Sequence, residues 1–141
     1  MLQRFRFPPI TRRALFAGAV AASLAAAAPA GAADPIAIGL VAAMSGQSAK
    51  SGEAIVRGLT IAIDEVNAKG GVLGRPLHLV VRDDESNPAK GVVAARELVQ
   101  RERVAVLFGG LDTPVSMAIL PFVNGAKVPF MGVWAAGTPI T

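Results

Sequence analysis

Apolar residues recur with two different spacings after Pro35, and each spacing predicts a different element. Short, mostly apolar runs are typical of buried strands, whereas apolar residues three or four positions apart are typical of amphipathic helices. The predicted strands are Pro35–Val41, Leu77–Val81, Val104–Phe108 and Val128–Val133. The predicted helices between them are Gly52–Ala68, Pro88–Arg101 and Pro114–Asn124.

The regular alternation of these elements predicts an α/β fold of the order β-α-β-α-β-α-β. Short links between strand and helix call for a parallel sheet sandwiched by helices, as in a Rossmann-like lobe. Residues 33–141 then form one lobe, which ends in a loop directly after a strand. We expect this lobe to be incomplete, and a second lobe to be absent from the chain.

Residues 1–32 have the three-part layout of a secretory signal. A basic segment carrying Arg12 and Arg13 precedes the alanine-rich run Ala14–Ala28. An arginine pair followed by apolar residues resembles the twin-arginine export motif, so we expect a signal peptide cleaved after Ala32. An uncleaved membrane anchor is the alternative, although the run of about 15 residues is shorter than the roughly 20 that a span needs.

Charge is placed unevenly along the chain. The formal net charge of +4 comes from 14 basic and 10 acidic residues. Four of the arginines precede residue 33 with no acid among them, so the folded part is close to neutral. Phosphate binding needs a net basic face, and we therefore expect no nucleic-acid partner. The chain has no cysteine, which excludes disulfides, thiolate metal sites and a lipoprotein signal within it.

Motifs typical of enzymes, cofactors and metals are not found in the predicted loops. Gly70–Gly74 follows a helix rather than a strand, so it predicts a turn and not a nucleotide cradle. Asp83, Asp84 and Glu85 alternate in direction and are expected to form a solvated strand end. His78 has no second histidine or cysteine with which to share a metal. Because no nucleophile and base can be paired, we expect no enzyme activity, no cofactor and no metal.

Two loops after strands carry candidate binding residues, since ligands of open parallel sheets bind beyond the carboxyl ends of strands. The hydroxyl of Thr113 either caps the third helix, with Pro114 at its first position, or contacts a ligand. Trp134, the only tryptophan, lies beside Ala135 and Ala136, whose small side chains let a ligand approach the backbone. Trp134 is expected either to form the wall of an apolar pocket or to pack between lobes. Ser51 is the predicted N-cap of the first helix.

A series of short motifs follows these elements in order. They are Met44-Ser45-Gly46, Asn67-Ala68-Lys69-Gly70-Gly71-Val72, Asp83-Asp84, Asn87-Pro88 and the loops Phe108–Thr113 and Met131–Thr141. From about Pro35 onward, the chain resembles the leucine/isoleucine/valine-binding proteins of branched-chain amino acid ABC transporters. The resemblance implies a type I periplasmic solute-binding protein whose two lobes close on a solute and dock on an inner-membrane permease.

The resemblance also implies which residues face the solute. In leucine-binding members the loop after the third strand offers a hydroxyl, which is matched by Thr113. The loop after the fourth strand offers two alanines and a threonine, matched by Trp134, Ala135 and Ala136. An aromatic residue near the start of the first helix is matched by Ser51.

Asp112 changes the solute that we expect at such a site. Its negative charge lies next to Thr113, and an acid beside an anion site weakens carboxylate binding at short range. Ala136 stands where a hydroxyl would hold a carboxylate. The expected solutes are therefore a branched-chain or other amino acid, an amide, a urea-like solute or an aromatic acid.

The expected function is solute capture for ABC import, performed in the periplasm by a protein that is monomeric when full length. ATP hydrolysis would then occur in a separate protein. The alternative is the ligand-sensing domain of a signalling receptor or regulator with the same lobe fold. A doubly wound enzyme is a third possibility, for which no catalytic constellation is found.

Overall fold

The alternating apolar patterns form strands and helices in the predicted order. The computed structural model describes residues 34–137, and the predicted signal peptide lies outside them. The strands are β1 (Ile36–Ala42), β2 (Leu77–Asp83), β3 (Val106–Gly109) and β4 (Phe130–Gly132). The helices are α1 (Ala49–Ala68), α2 (Pro88–Gln100) and α3 (Thr113–Ala126), with a short 3-10 turn at Gly46–Ser48. Within the described range no helix is both long and apolar enough to cross a membrane.

The four strands form one sheet in the order β2-β1-β3-β4, and every neighbouring pair is parallel. β1 lies in the middle of the sheet, and its residues Leu40, Val41 and Ala42 have no exposed surface. A strand buried on both faces is apolar throughout, which is why β1 lacks a polar residue. The predicted parallel α/β fold is confirmed.

Helices cover both faces of the sheet. On one face α2 and α3 enclose a core that includes Val41, Leu98 and Ile119. On the other face α1 packs Ile55 against Leu40 and Ala42. Because successive strand residues point to opposite faces, β1 contributes to both cores.

α1 begins three residues earlier than predicted, and this changes the role of Ser51. The N-cap position is Ser48, whose side chain makes no capping hydrogen bond. Ser51 lies inside the first turn, so its prediction as N-cap is wrong. The reason is the 3-10 turn, which leads the chain into α1 with Ser48 already in the helical region, at φ −87° and ψ −3°.

Of the other two helices, α2 begins at Pro88 as predicted, and α3 begins one residue before the predicted Pro114. Asn87 caps α2, because its side-chain oxygen accepts hydrogen bonds from the amides of Ala89 (2.9 Å) and Lys90 (3.2 Å). In α3 the N-cap position is Asp112, and Thr113 is already the first helical residue. Of the two alternatives for the Thr113 hydroxyl, capping of α3 is therefore wrong, and ligand contact stays a prediction.

The acidic run at the end of β2 is only partly solvated. Asp83 and Glu85 are exposed, whereas Asp84 is 1% exposed. The prediction of a solvated strand end is thus wrong for Asp84. Its side chain points to the face covered by α2, where its Cβ lies near Gly91.

Candidate functional site at the carboxyl edge of the sheet

Four chain segments leave the sheet at the same edge, because all four strands are parallel. The exits of β1 and β3 lie next to each other in the middle of this edge, since the two strands are hydrogen-bonded neighbours. α1 and α3 begin directly beyond them, so their N-termini present free amides at the edge. This geometry suits the binding of anions and carbonyl oxygens.

Close backbone contacts fix the position of this edge. A Cβ atom on Gly110 would lie 2.7 Å from the Cα of Ala42 and 2.7 Å from the carbonyl oxygen of Val41. A Cβ atom on Gly52 would collide with the carbonyl oxygen of Ala43. Glycine at both positions lets the exit of β3 and the start of α1 pack directly against the exit of β1.

Asp83 joins the exit of β2 to the exit of β1. Its Oδ1 accepts hydrogen bonds from the amide of Met44 (2.8 Å) and from the amide of Glu85 (2.8 Å). Burial alone would raise the pKa of Asp83, but these amide hydrogen bonds outweigh it and hold the pKa below the ordinary value. The ionised side chain of Asp83 therefore connects the loops after β1 and β2 through hydrogen bonds.

Ser51 and Trp134 line the same cavity. It has a volume of about 570 Å³ and runs along α1 beside the exit of β4. Its lining residues are Lys50, Ser51, Ala54, Ile55, Gly58, Leu59, Val133 and Trp134. Trp134 is 68% exposed, so its indole forms an open apolar wall opposite the first turns of α1.

Asp112 and Thr113 lie elsewhere on the edge, at the start of α3. Both are partly buried, and neither lines the cavity beside α1. Ala135 is partly buried and Ala136 is exposed in the segment after β4. The structure thus brings Ser51 and Trp134 together and leaves Asp112 and Thr113 as a separate polar point.

Two residues near the site were not identified from the sequence. Lys50 is the one charged residue that lines the cavity with Ser51 and Trp134. Its nearness to the cavity depends on the early start of α1, for which the sequence gives no clear signal. The burial of Asp84 had a signal, since the alternation of β2 places it on the same face as Val80, which packs in the core under α2 and α3.

A second cavity, of about 380 Å³, lies on the outer side of β2 against α2. Three of the charged residues that line it are in ion pairs, Arg82 with Glu97 at 3.1 Å and Lys90 with Glu85 at 2.6 Å, and the fourth, Asp83, accepts amide hydrogen bonds. It is also remote from the exits of β3 and β4. We therefore place the functional site at the carboxyl edge.

The sequence of the chain is similar to those of periplasmic binding proteins. The family model for periplasmic binding proteins matches residues 35–140. The Leu/Ile/Val-binding protein homolog 7 of Brucella suis is 39% identical over 127 residues, which are 90% of this chain and 31% of that protein.

Solved structures share the fold. The branched-chain amino acid binding protein LivJ of Streptococcus pneumoniae, in complex with isoleucine, aligns with a TM-score of 0.71 and 28% identity over 75% of this chain and 30% of its own. A solute-binding protein of an ABC transporter from R. palustris, in complex with 4-hydroxybenzoate, aligns with a TM-score of 0.64 and 34% identity over 76% of this chain and 29% of its own.

The chain spans less than a third of the length of these relatives. The family match nevertheless extends over most of the chain, from β1 to the segment after β4. The chain therefore belongs to the Leu/Ile/Val-binding family of periplasmic binding proteins.

Proposed function

We propose that this chain is the first lobe of the solute-binding component of an ABC importer. The protein binds a small solute between two lobes and delivers it to an inner-membrane permease, without making or breaking a bond in the solute. The observation that carries the proposal is the convergence of four strand exits at one edge, where α1 and α3 begin. Family membership supports it, because the relatives are solute-binding proteins.

The start of α3 is the proposed contact for a carboxylate or carbonyl group. Thr113 offers a hydroxyl at the first helical position, and the free amides of the first turn add a partial positive charge. Isoleucine and 4-hydroxybenzoate, the ligands of the two solved relatives, both carry a carboxylate. We therefore favour an amino acid or an aromatic acid as the solute, with Ala135 and Ala136 leaving room for it.

Trp134 is the proposed apolar wall for the rest of the solute. Its indole shares a cavity with Ser51, the position matched to an aromatic residue in leucine-binding members. We infer that an aromatic ring in the segment after β4 takes the place of the ring that leucine-binding members have near the start of α1. A large flat wall suits a solute with an apolar or aromatic side group.

The proposed location is the periplasm, reached through a signal peptide that is cleaved after Ala32. The support is the layout of residues 1–32 and the family of the folded part. Mass spectrometry of the protein from the periplasmic fraction is expected to show a mature N-terminus at Ala33. A protein that keeps Arg12 and Arg13 in the membrane fraction would contradict this proposal.

The binding proposal is tested by a thermal-shift screen of the protein expressed from its complete reading frame. The ligands are amino acids, amides and aromatic acids. A solute at a hundred times its Kd stabilises the folded protein by about 2.7 kcal/mol, which gives a clear upward shift in Tm. A well-folded protein that shifts with none of these solutes, or that converts one of them, would overturn the proposal.

Variants at the site then identify the contacts. Thr113→Val removes the hydroxyl at nearly constant volume and is expected to weaken binding about tenfold, whereas Thr113→Ser keeps the hydroxyl and retains most of the affinity. Trp134→Ala is expected to weaken binding of apolar solutes. Thr60→Val, at an exposed position of α1, is the matched control and should bind as the wild type does.

A further inference from the structure

The cavity beside α1 carries a single charge among its lining residues, and that charge is positive. The charged residue is Lys50, and the hydroxyl of Ser51 lies next to it in the chain. The other side chains that line the cavity are apolar. None of the acidic residues that follow β2 or precede α3 lines it. The cavity therefore combines apolar walls with one cationic group.

The ammonium group of Lys50 has no carboxylate partner in the part of the chain that the structure describes. Lys50 is exposed, and it is absent from the five ion pairs among residues 34–137. The first acidic residue of α1 is Glu53, which approaches Arg57 at 3.7 Å instead. An ammonium group offers three donors and no acceptor. Lys50 is therefore available to bind a negative group of a solute.

The polar residues of the cavity lie at its end nearest the carboxyl edge. Residues three or four positions apart share one side of a helix, and the cavity follows such a stripe of α1. The stripe consists of Lys50, Ser51, Ala54, Ile55, Gly58 and Leu59. Lys50 lies in the first turn, about 13 Å along the helix axis from Leu59. An apolar solute that enters the cavity would thus have the ammonium group at the entrance.

Backbone contacts join this entrance to the start of α3. The amide of Val133, which lines the cavity, donates a hydrogen bond to the carbonyl oxygen of Gly109 at 3.0 Å. Thr113 follows Gly109 by four residues. The next residue, Gly110, packs against the end of β1, as Gly52 of α1 does. Lys50 and Thr113 are therefore held at the same edge on two different helices.

We propose that Lys50 binds a second carboxylate of the solute, in addition to the group that is held at Thr113. The inference rests on the proposed function, because it takes the contact at Thr113 as the first of two. The chemical class is an acid with an apolar body and two carboxylates. An acidic amino acid and an aromatic dicarboxylate both have this chemistry.

The selectivity arises from the cost of leaving a charge without a partner. A solute whose apolar body ends in a methyl group would take water from the ammonium group and give nothing in return. A solute that ends in a carboxylate would replace that water with a charge-assisted hydrogen bond. Lys50 thus favours the second carboxylate and disfavours the methyl group at the same position.

The test compares solutes that differ only in this group. Glutamate and norvaline differ by a carboxylate in place of a methyl group, and so do terephthalate and 4-methylbenzoate. Their affinities for the protein expressed from its complete reading frame are measured by calorimetry. We expect the second carboxylate to raise the affinity about tenfold in one pair, and that pair tells an amino acid from an aromatic acid. Diacids that bind no better than their methyl partners in both pairs would overturn the proposal.

Variants at Lys50 assign the effect to its charge. Lys50→Met keeps the apolar stem and removes the ammonium group, so the diacid should lose about tenfold in affinity while its methyl partner binds unchanged. Lys50→Arg keeps the charge and should retain the preference. Lys69→Met removes a positive charge from an exposed position after α1 and is the matched control. Equal affinities of Lys50→Met and the wild type for the diacid, or an equal loss for both solutes, would overturn the proposal.

Salt dependence gives a second measurement. Lys50 is exposed, and added salt screens the interactions of exposed charges. The preference of the wild type for the diacid should therefore shrink as the salt concentration rises. The ratio of the two affinities in Lys50→Met should not change with salt. A wild-type preference that is equal at low and high salt would count against a contact between charges.

Failure of this inference is distinguishable from failure of the proposed function. Binding of norvaline or 4-methylbenzoate without a preference for the diacid would leave the binding function in place and overturn the role of Lys50 alone. A folded protein that binds no solute of either pair would overturn the role of Lys50. If it also binds none of the other amino acids, amides and aromatic acids, the proposed function fails with it.

Discussion

Two neighbouring aspartates at the end of β2 have opposite environments. Asp83 is exposed and ionised, and it accepts hydrogen bonds from the amides of Met44 and Glu85. Asp84 is buried near Gly91 of α2, and this burial raises its pKa. The cause is the strand geometry, which turns successive side chains to opposite faces. The pKa values of the two residues are therefore shifted in opposite directions from the ordinary value.

Asp83→Asn is expected to reduce the loss of stability in acid. The folded-state pKa of Asp83 is lowered from 3.8, so its contribution is present above that value and is lost as the pH falls through the lowered pKa. The urea midpoint of the wild type should fall below about pH 4, and the midpoint of the variant should fall less. If the stability of the two proteins falls equally with decreasing pH, Asp83 contributes nothing to the loss of stability in acid.

Gly110→Ala is expected to destabilise the fold by about 1–3 kcal/mol, because the added methyl group would overlap Val41 and Ala42 in the exit of β1. Gly125→Ala is the matched control, since it lies in α3 with nothing within 4 Å of the added Cβ. The control should be neutral or gain up to about 1 kcal/mol from helix propensity. Equal urea midpoints for the Gly110 variant and the wild type would contradict the close approach of β3 to β1.

At the scale of elements, the starts of the three helices show what the sequence can and cannot determine. The pair Asn87-Pro88 at the start of α2 is a local signal, so the start of this helix could be predicted. Ser45, Ser48 and Ser51 all precede the apolar stripe of α1, and local chemistry does not choose among them. The choice depends on packing, since Gly52 lies against the carbonyl oxygen of Ala43 and fixes where the helix begins.

Asn87→Ala is expected to cost about 1 kcal/mol in the free energy of unfolding, because the amides of Ala89 and Lys90 lose their acceptor. Ser48→Ala is the matched control at the N-cap position of α1, where the side chain makes no capping hydrogen bond. Its unfolding free energy should change by less than half as much. Amide exchange at Ala89 should accelerate only in the first variant, and unchanged exchange there would contradict the capping role.

At the scale of the whole molecule, the two faces of the sheet are covered unequally. Two helices pack on one face and one helix on the other. The fold class could be predicted from the alternation of apolar patterns alone, because that alternation permits few other arrangements. The solute contacts could be predicted only as far as the strand exits, since any contacts from a second lobe depend on residues that this sequence does not contain.

The face of the sheet that is covered by α1 alone should bind an apolar dye. A protein of residues 34–137 whose circular dichroism shows that it is folded is expected to bind such a dye. The dye would occupy the cavity lined by Ile55, Leu59 and Trp134. Trp134→Ser should lower the dye emission. Leu73→Ser, at a position that is 95% exposed in a turn, should leave it unchanged. Folded protein that binds no dye would contradict an open apolar cavity.

Trp134 also gives the chain a single optical signal. It is the only tryptophan, and the chain has no tyrosine. Near-ultraviolet absorbance and fluorescence of this chain therefore arise almost entirely from one indole, which is 68% exposed after β4. Any event that removes water from this indole would shift its emission to shorter wavelengths. Occupation of the cavity beside α1 can thus be followed through the wavelength of tryptophan emission, without a label.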